Sequence, residues 1–203
     1  MYWDSFPEEQ EPLKAEIIFS PSQNPIWSRT GDYPFAKGHH LPSGCFFSMD
    51  IVLFQPEIPP NTGNIARLCA AMDVDLHLIE PLGFKLEDRY LKRAGLDYWP
   101  HVRMKVWPNL EAYLQNAGTG KRLVLTSARR GAPLHHFTFT RNDALVFGRE
   151  TSGLPPEVLA LSDHRVRIPI RNEVRSLNLS TAAGIILFQA LASTGLLDET
   201  LPS

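Results

Sequence analysis

The chain has 203 residues, 43% of them hydrophobic, enough for one well-filled core and at most a second small unit. Its formal charge is only −2, which excludes indiscriminate coating of nucleic acid and requires any RNA contact to come from a local basic face. Two cysteines, Cys45 and Cys69, cannot build a disulfide framework, and no Cys/His spacing matches a zinc site, so a reducing cytoplasm without structural metal is expected.

Residues 1–48 hold six acids against three bases, together with six prolines, and show neither helical nor alternating periodicity. They are expected to be a disordered extension, or residues upstream of a true start at Met49, with one domain over 49–203. The acidic N-terminus has the character of neither a signal nor a transit peptide, and the longest apolar run, from Ala182 to Phe188, is far short of the roughly 20 residues of a membrane span.

From Met49 onward, apolar runs alternate with helical patterns. Strands are expected at Ile51–Phe54, Leu76–Ile79, Val102–Val106, Leu123–Thr126, Ala144–Phe147 and Val166–Ile170, which gives an α/β fold with a mainly parallel sheet flanked by helices. Ile65, Leu68, Cys69 and Met72 recur at helical spacing, and Asn61 or Thr62 can cap that helix. Leu110, Tyr113 and Leu114 form a shorter stripe. Leu179, Ala182, Ala183, Ile186, Leu187, Ala190 and Leu191 mark a last helix that ends at Gly195, with Ser176, Asn178 or Ser180 as its cap.

Three segments carry polar residues beside these elements. Asn61-Thr62-Gly63-Asn64-Ile65-Ala66-Arg67 follows the first strand and places Arg67 about one turn into a helix, with Asn61 and Asn64 read as loop-fixing. Phe147-Gly148-Arg149-Glu150-Thr151-Ser152-Gly153-Leu154-Pro155 sets a carboxylate between glycines at a strand end, where Gly148 admits close backbone approach. Ile168-Pro169-Ile170 leads into Arg175-Ser176-Leu177-Asn178-Leu179-Ser180, a helix entry that presents backbone N–H groups to an anion. No Gly-x-Gly-x-x-Gly or P-loop follows any expected strand, so a nucleotide-dependent oxidoreductase is disfavoured.

On these motifs, with Ile79-Glu80-Pro81-Leu82-Gly83-Phe84 and Leu91-Lys92-Arg93-Ala94-Gly95-Leu96-Asp97-Tyr98, the chain from Met49 to about Leu197 resembles the SPOUT class of RNA methyltransferases. Within it, the likeness is to the small TrmL/YibK type that methylates the tRNA wobble ribose. The resemblance implies a C-terminal trefoil knot, a homodimer, S-adenosyl-L-methionine as cofactor and the tRNA anticodon arm, of leucine tRNAs, as substrate. It carries the cofactor pocket onto Leu125, Gly148, Ile168 and Ser176, the catalytic positions onto Arg67, Glu150, Ser176 and Asn178, and RNA contact onto Arg67, Lys92, Arg93 and Arg175. Arg149 departs from the pattern, since relatives often carry a small residue or proline there. No metal is expected. Ribose methylation elsewhere in tRNA or rRNA, or a non-catalytic RNA-binding knot protein, are the alternative readings.

Overall fold

A computed structural model describes residues 48–86 and 98–200. The expected disorder of 1–48 therefore falls, save for Ser48, outside the described residues, as do Lys92 and Arg93 and most of the 91–98 motif.

Seven strands form a single sheet: β1 Asp50–Phe54, β2 Asp75–Ile79, β3 Met104–Trp107, β4 Arg122–Thr126, β5 Ala132–Pro133, β6 Asp143–Phe147 and β7 Arg165–Arg167. Their order is β3-β2-β1-β6-β4-β7-β5 and every pairing is parallel. Among the described residues the α-helices are α1 Pro59–Ala71, α2 Leu110–Leu114, α3 Pro156–Leu159, α4 Leu179–Thr194 and α5 Leu196–Thr200. The expected parallel α/β architecture is thus present.

A parallel sheet covered on both faces needs apolar side chains in both directions, which is why its central strands read as continuous apolar runs. Successive residues of β1 and β6 feed two separate cores. Ile51, Leu53, Leu145 and Phe147 pack with Ile65 and Cys69 of α1 and with Ala183, Ile186 and Leu187 of α4. Val52, Phe54, Ala144 and Val146 pack with Leu110 and Tyr113 of α2 and Val158 of α3. Cys69 is fully buried.

Several boundaries differ from the sequence reading. The strand expected at Val102–Val106 starts only at Met104, because Val102 closes a short turn by donating its N–H to the Trp99 carbonyl. The strand expected to reach Ile170 stops at Arg167; Pro169 has no N–H to extend a ladder. Asn61 and Thr62 are not caps. Helix α1 begins at Pro59-Pro60, whose fixed φ and missing donors suit a first turn, so both residues lie inside it and are buried. At α4, Asn178 is the cap: its Oδ1 accepts from the N–H groups of Ser180 (2.9 Å) and Thr181 (3.3 Å). Gly195 closes α4 in the left-handed conformation, φ 73°.

A buried polar cluster runs from the amino end of β1 across β2 to Trp107 of β3. Asp50 accepts from Lys121 Nζ at 2.8 Å and Tyr113 OH at 3.2 Å, while Trp107 Nε1–H donates to His77 Nδ1 at 3.1 Å. Because the indole can only donate, the proton of neutral His77 sits on Nε2, which faces Asp50 Oδ2 at 3.3 Å. Asp50, His77 and Asp75, the last held by Arg103, form a grouping of metal-ligand types. Asp50 lies a full strand length, roughly 13 Å, from the carboxyl ends; His77 is mid-strand and Trp107 ends β3.

Candidate active site

The strand order reverses at β1/β6: from β1 the chain runs outward through β2 and β3, then returns to build the other half. In open α/β sheets the crevice outside the carboxyl ends of the strands at such a point is where ligands bind. The loops leaving β1 (55–58) and β6 (148–155) meet there, and so does the entry to α4.

The two loops brace each other. Glu150 accepts the N–H of Glu57 (2.8 Å) and of Ile58 (3.2 Å), the two amides just ahead of α1, and the side-chain amide of Asn61 (3.1 Å). A carboxylate here also opposes the positive end of α1. In return Glu57 accepts the N–H of Thr151 (3.1 Å) and its hydroxyl (2.8 Å). Arg149 donates to the side-chain oxygen of Gln55, a residue held at φ 52°. Arg149 thus ties the same two loops.

Gly148 is required by the turn itself. Arg149 and Gly153 exchange backbone hydrogen bonds (3.2 and 2.9 Å), folding 149–153 back over the strand end. A Cβ on Gly148 would lie 2.6 Å from the Gly153 oxygen and closer still to the Gly153 carbonyl carbon and Leu154 nitrogen. The crowding atoms are the chain's own backbone, where the sequence reading expected a ligand.

Asn61 joins all three motifs. Its Nδ2 donates to Glu150 and its Oδ1 accepts from Asn178 Nδ2 at 2.9 Å, while Asn178 Oδ1 caps α4. Each amide can point only one way: the carboxylate demands a donor from Asn61, and the α4 N–H groups demand an acceptor from Asn178. Asn61 is therefore the hub of the site. Its partners lie 89 and 117 residues away, so the loop-fixing reading of Asn61 could not name them.

Arg67 is exposed about 9 Å further along α1, with its guanidinium over the Tyr98 ring at 5.5 Å. Tyr98 is tied back to α1 by donating its hydroxyl proton to the Gly63 carbonyl at 3.1 Å. Leu125, fully buried in β4, Gly148 after β6 and half-buried Ile168 after β7 sit at the carboxyl ends of three adjacent strands. Ser176 and Arg175 are exposed on the loop entering α4. Between Ile168 and Leu177 the one backbone–backbone hydrogen bond among the described residues is Val174 N–H to the Arg171 carbonyl. Arg129 steadies this loop by donating to the carbonyls of Val174 (2.9 Å) and Asn172 (3.4 Å). Glu57, Thr151, Tyr98 and Arg129 were not singled out for these roles from sequence. For Glu57 alone there was a sign, an acid just ahead of a helix opened by two prolines.

Residues 48–188 match the SpoU rRNA Methylase family. A protein of Methylovorus glucosotrophus (strain SIP3-4) named tRNA (cytidine(34)-2'-O)-methyltransferase is 50% identical over 143 residues, 70% of this chain and 92% of its own. A solved structure described as "Structural insights into the 2-OH methylation of C/U34 on tRNA" superposes with a TM-score of 0.68 at 46% identity, covering 72% of this chain and 95% of that one. The SpoU methyltransferase AviRb from Streptomyces viridochromogenes, solved in complex with AdoMet, shares the fold with a TM-score of 0.64 at 24% identity, over 74% of this chain and 62% of its own. Both the sequence match and the architecture agree: the chain belongs to the SpoU rRNA methylase family.

Proposed function

We propose that this chain, through residues 49–203, transfers a methyl group from S-adenosyl-L-methionine to the ribose 2′-hydroxyl of the wobble nucleotide of tRNA. The target is position 34, a cytidine or modified uridine, of leucine tRNAs, and the reaction takes place in the cytoplasm. The observation that carries this reading is the Glu150–Asn61–Asn178 link, which draws the three motifs into one site in a chain 50% identical to a tRNA (cytidine(34)-2'-O)-methyltransferase.

The residues around the strand ends suit the cofactor. A neutral purine needs an apolar slot and backbone hydrogen bonds. Leu125 and Ile168 supply the first, and the sparsely bonded backbone of 168–177 supplies the second. Gly148 and Ser176 complete the set of residues that hold it. When bound, the sulfonium provides a methyl that is already electrophilic, so the protein's task is alignment rather than activation.

The planar fork of Arg67 holds the phosphate beside the target ribose and stabilises negative charge developing on the 2′-oxygen. Tyr98 pre-positions that guanidinium. Ser176 and Asn178 orient the hydroxyl. Glu150 acts by fixing Asn61, and through it the amide plane of Asn178. Arg175, with Lys92 and Arg93, contacts the anticodon arm.

Two architectural features belong to this reading. β7, the last strand, lies between β4 and β5, a gap bounded by the earlier 127–131 loop, and this supports a trefoil knot in the C-terminal segment. α4 is apolar all round, with Ile185 40% and Phe188 55% exposed on its outer side, and this supports a homodimer across that face.

The test is methyl transfer from labelled S-adenosyl-L-methionine to unmodified and native tRNA pools, with the product nucleoside mapped by mass spectrometry. A 2′-O-methyl at position 34 is the expected product. Methyl mapped to another ribose, or cofactor binding without transfer to either pool, overturns the assignment.

A further inference from the structure

The described arginines are used differently: Arg129, Arg149 and Arg165 donate to uncharged oxygens and Arg67 stacks on Tyr98. Arg103, Arg122 and Arg141 each pair with a carboxylate: Asp73 and Asp75, Asp143, and Glu199. Arg130, Arg167, Arg171 and Arg175 do not, and among the described residues their guanidinium groups make neither a hydrogen bond nor an ion pair.

These four share one border of the molecule. Arg130 lies in the loop after β4, Arg167 ends β7, and Arg171 and Arg175 lie in the loop from β7 to α4. The two loops are fastened together. Gly131, at φ 105°, approaches β7 so closely that a Cβ would lie 2.6 Å from the Arg165 carbonyl. Arg129 reaches the carbonyls of Asn172 and Val174. From His164 to Asn178 the lone carboxylate is Glu173, exposed and without an ion-pair partner among the described residues. Gathering like charges without counter-ions costs stability through mutual repulsion, and an anionic partner reverses that cost.

We infer that this arginine border, beside Ser176, docks the phosphodiester backbone of the RNA substrate; the inference rests on the tRNA reading above and locates the contact. A single small anion is the poorer match. Arg130, Arg171 and Arg175 are exposed and spread over two loops rather than converging in a buried socket, which suits an extended polyanion. Arginine's bidentate fork matches phosphate oxygens. The surface is preformed, because Arg129 spends its own guanidinium fixing the loop that presents Arg171 and Arg175.

The experiment measures binding of full-length tRNA to the full chain by fluorescence anisotropy over a salt series, with cofactor affinity and methyl transfer measured in parallel. Arg130→Glu and Arg171→Glu are compared with Lys105→Glu on β3, the opposite edge of the sheet. Each arginine variant is expected to weaken tRNA binding at least about tenfold and to reduce the slope of log affinity against log salt by about 1, with cofactor affinity unchanged in Arg130→Glu, which lies outside the 168–177 segment. Lys105→Glu is expected to match wild type. Unchanged affinity and slope in the arginine variants, or an equal loss in Lys105→Glu, overturns the docking surface while wild-type transfer leaves the function standing. Failure of the wild-type protein itself to bind tRNA overturns both.

Discussion

Replacing Glu150 by glutamine tests the brace with an isosteric change. The carboxylate accepts three hydrogen bonds, from Glu57 N, Ile58 N and Asn61 Nδ2. Glutamine keeps one oxygen and turns an NH₂ toward donors, so one or two of the three are lost and a donor faces a donor. Hydrogen bonds to a charged acceptor contribute about 1.5–3 kcal/mol when buried; Glu150 is half-buried, and about 1 kcal/mol each is the appropriate scale. Removing the charge from the start of α1 adds about 0.5 kcal/mol. The sum is a loss of about 2 kcal/mol, or a fall in Tm of roughly 4–8 °C for a folded unit of this size. Urea unfolding of the full chain measures it. A second cycle with Asn61→Ala should show about 1 kcal/mol of coupling, since the two side chains touch. Because Asn178 is held through Asn61, kcat/KM should fall roughly tenfold or more while cofactor affinity changes little. A Glu150→Gln protein within about 0.5 kcal/mol of wild type would refute the claim that this carboxylate fastens the two loops.

Gly148→Ala should cost about 3 kcal/mol or more in the same unfolding assay, because the atoms that must move are backbone; a loss below about 1 kcal/mol would show that the 149–153 turn yields easily. Arg67→Lys keeps the charge but loses the fork and the stacking on Tyr98, so kcat/KM should drop roughly 10–100-fold at constant cofactor affinity, and unchanged turnover would refute the phosphate-clamp role. Ile185→Asp with Phe188→Asp should leave a monomer in sedimentation analysis; a persistent dimer places the interface elsewhere. Burial, aided by the nearby Asp75 charge, pushes the Cys69 thiol well above its usual range, so at pH 9 it stays protonated. Peptide mapping after iodoacetamide treatment should find Cys69 unmodified in the folded protein and alkylated after denaturation.

How much of this was legible in the sequence follows from the physics of each element. β1, β2, β4 and β6 were readable to within a residue because strands buried on both faces are continuous apolar runs. β5 was not: it is two residues long, and Pro133 gives no strand signal, being tolerated because it lies at the sheet edge. The overextension of β7 came from Ile168 and Ile170, whose apolar character continues past the point where Pro169 ends the ladder. For the site, the three motifs were visible as segments, and the residues carried over to Gly148, Glu150, Ser176 and Asn178 fall on loops or helix entries at one end of the sheet. What the segments could not reveal was the wiring. Asn61 looked like a helix cap because its type suits one; two prolines ahead of it took over the first turn and freed its amide to link Glu150 with Asn178. Likewise, nothing local told Glu57 that its partner is Thr151, 94 residues away.

The long reach of the Glu57–Glu150 brace has a consequence during synthesis. The amide of Glu57 and the carboxylate that receives it are separated by 93 residues, so at about 5–20 residues per second the first waits roughly 5–20 s for the second to leave the ribosome. Over that interval β1, every residue of which is buried in the finished protein, can pair with β2 on one side while its other side, reserved for β6, stays open. An unpaired apolar edge is a template for association with neighbouring chains. The nascent protein is therefore most exposed to aggregation on polysomes, before Asp143–Phe147 has emerged, and a chain released early by truncation ahead of β6 keeps that edge for its lifetime.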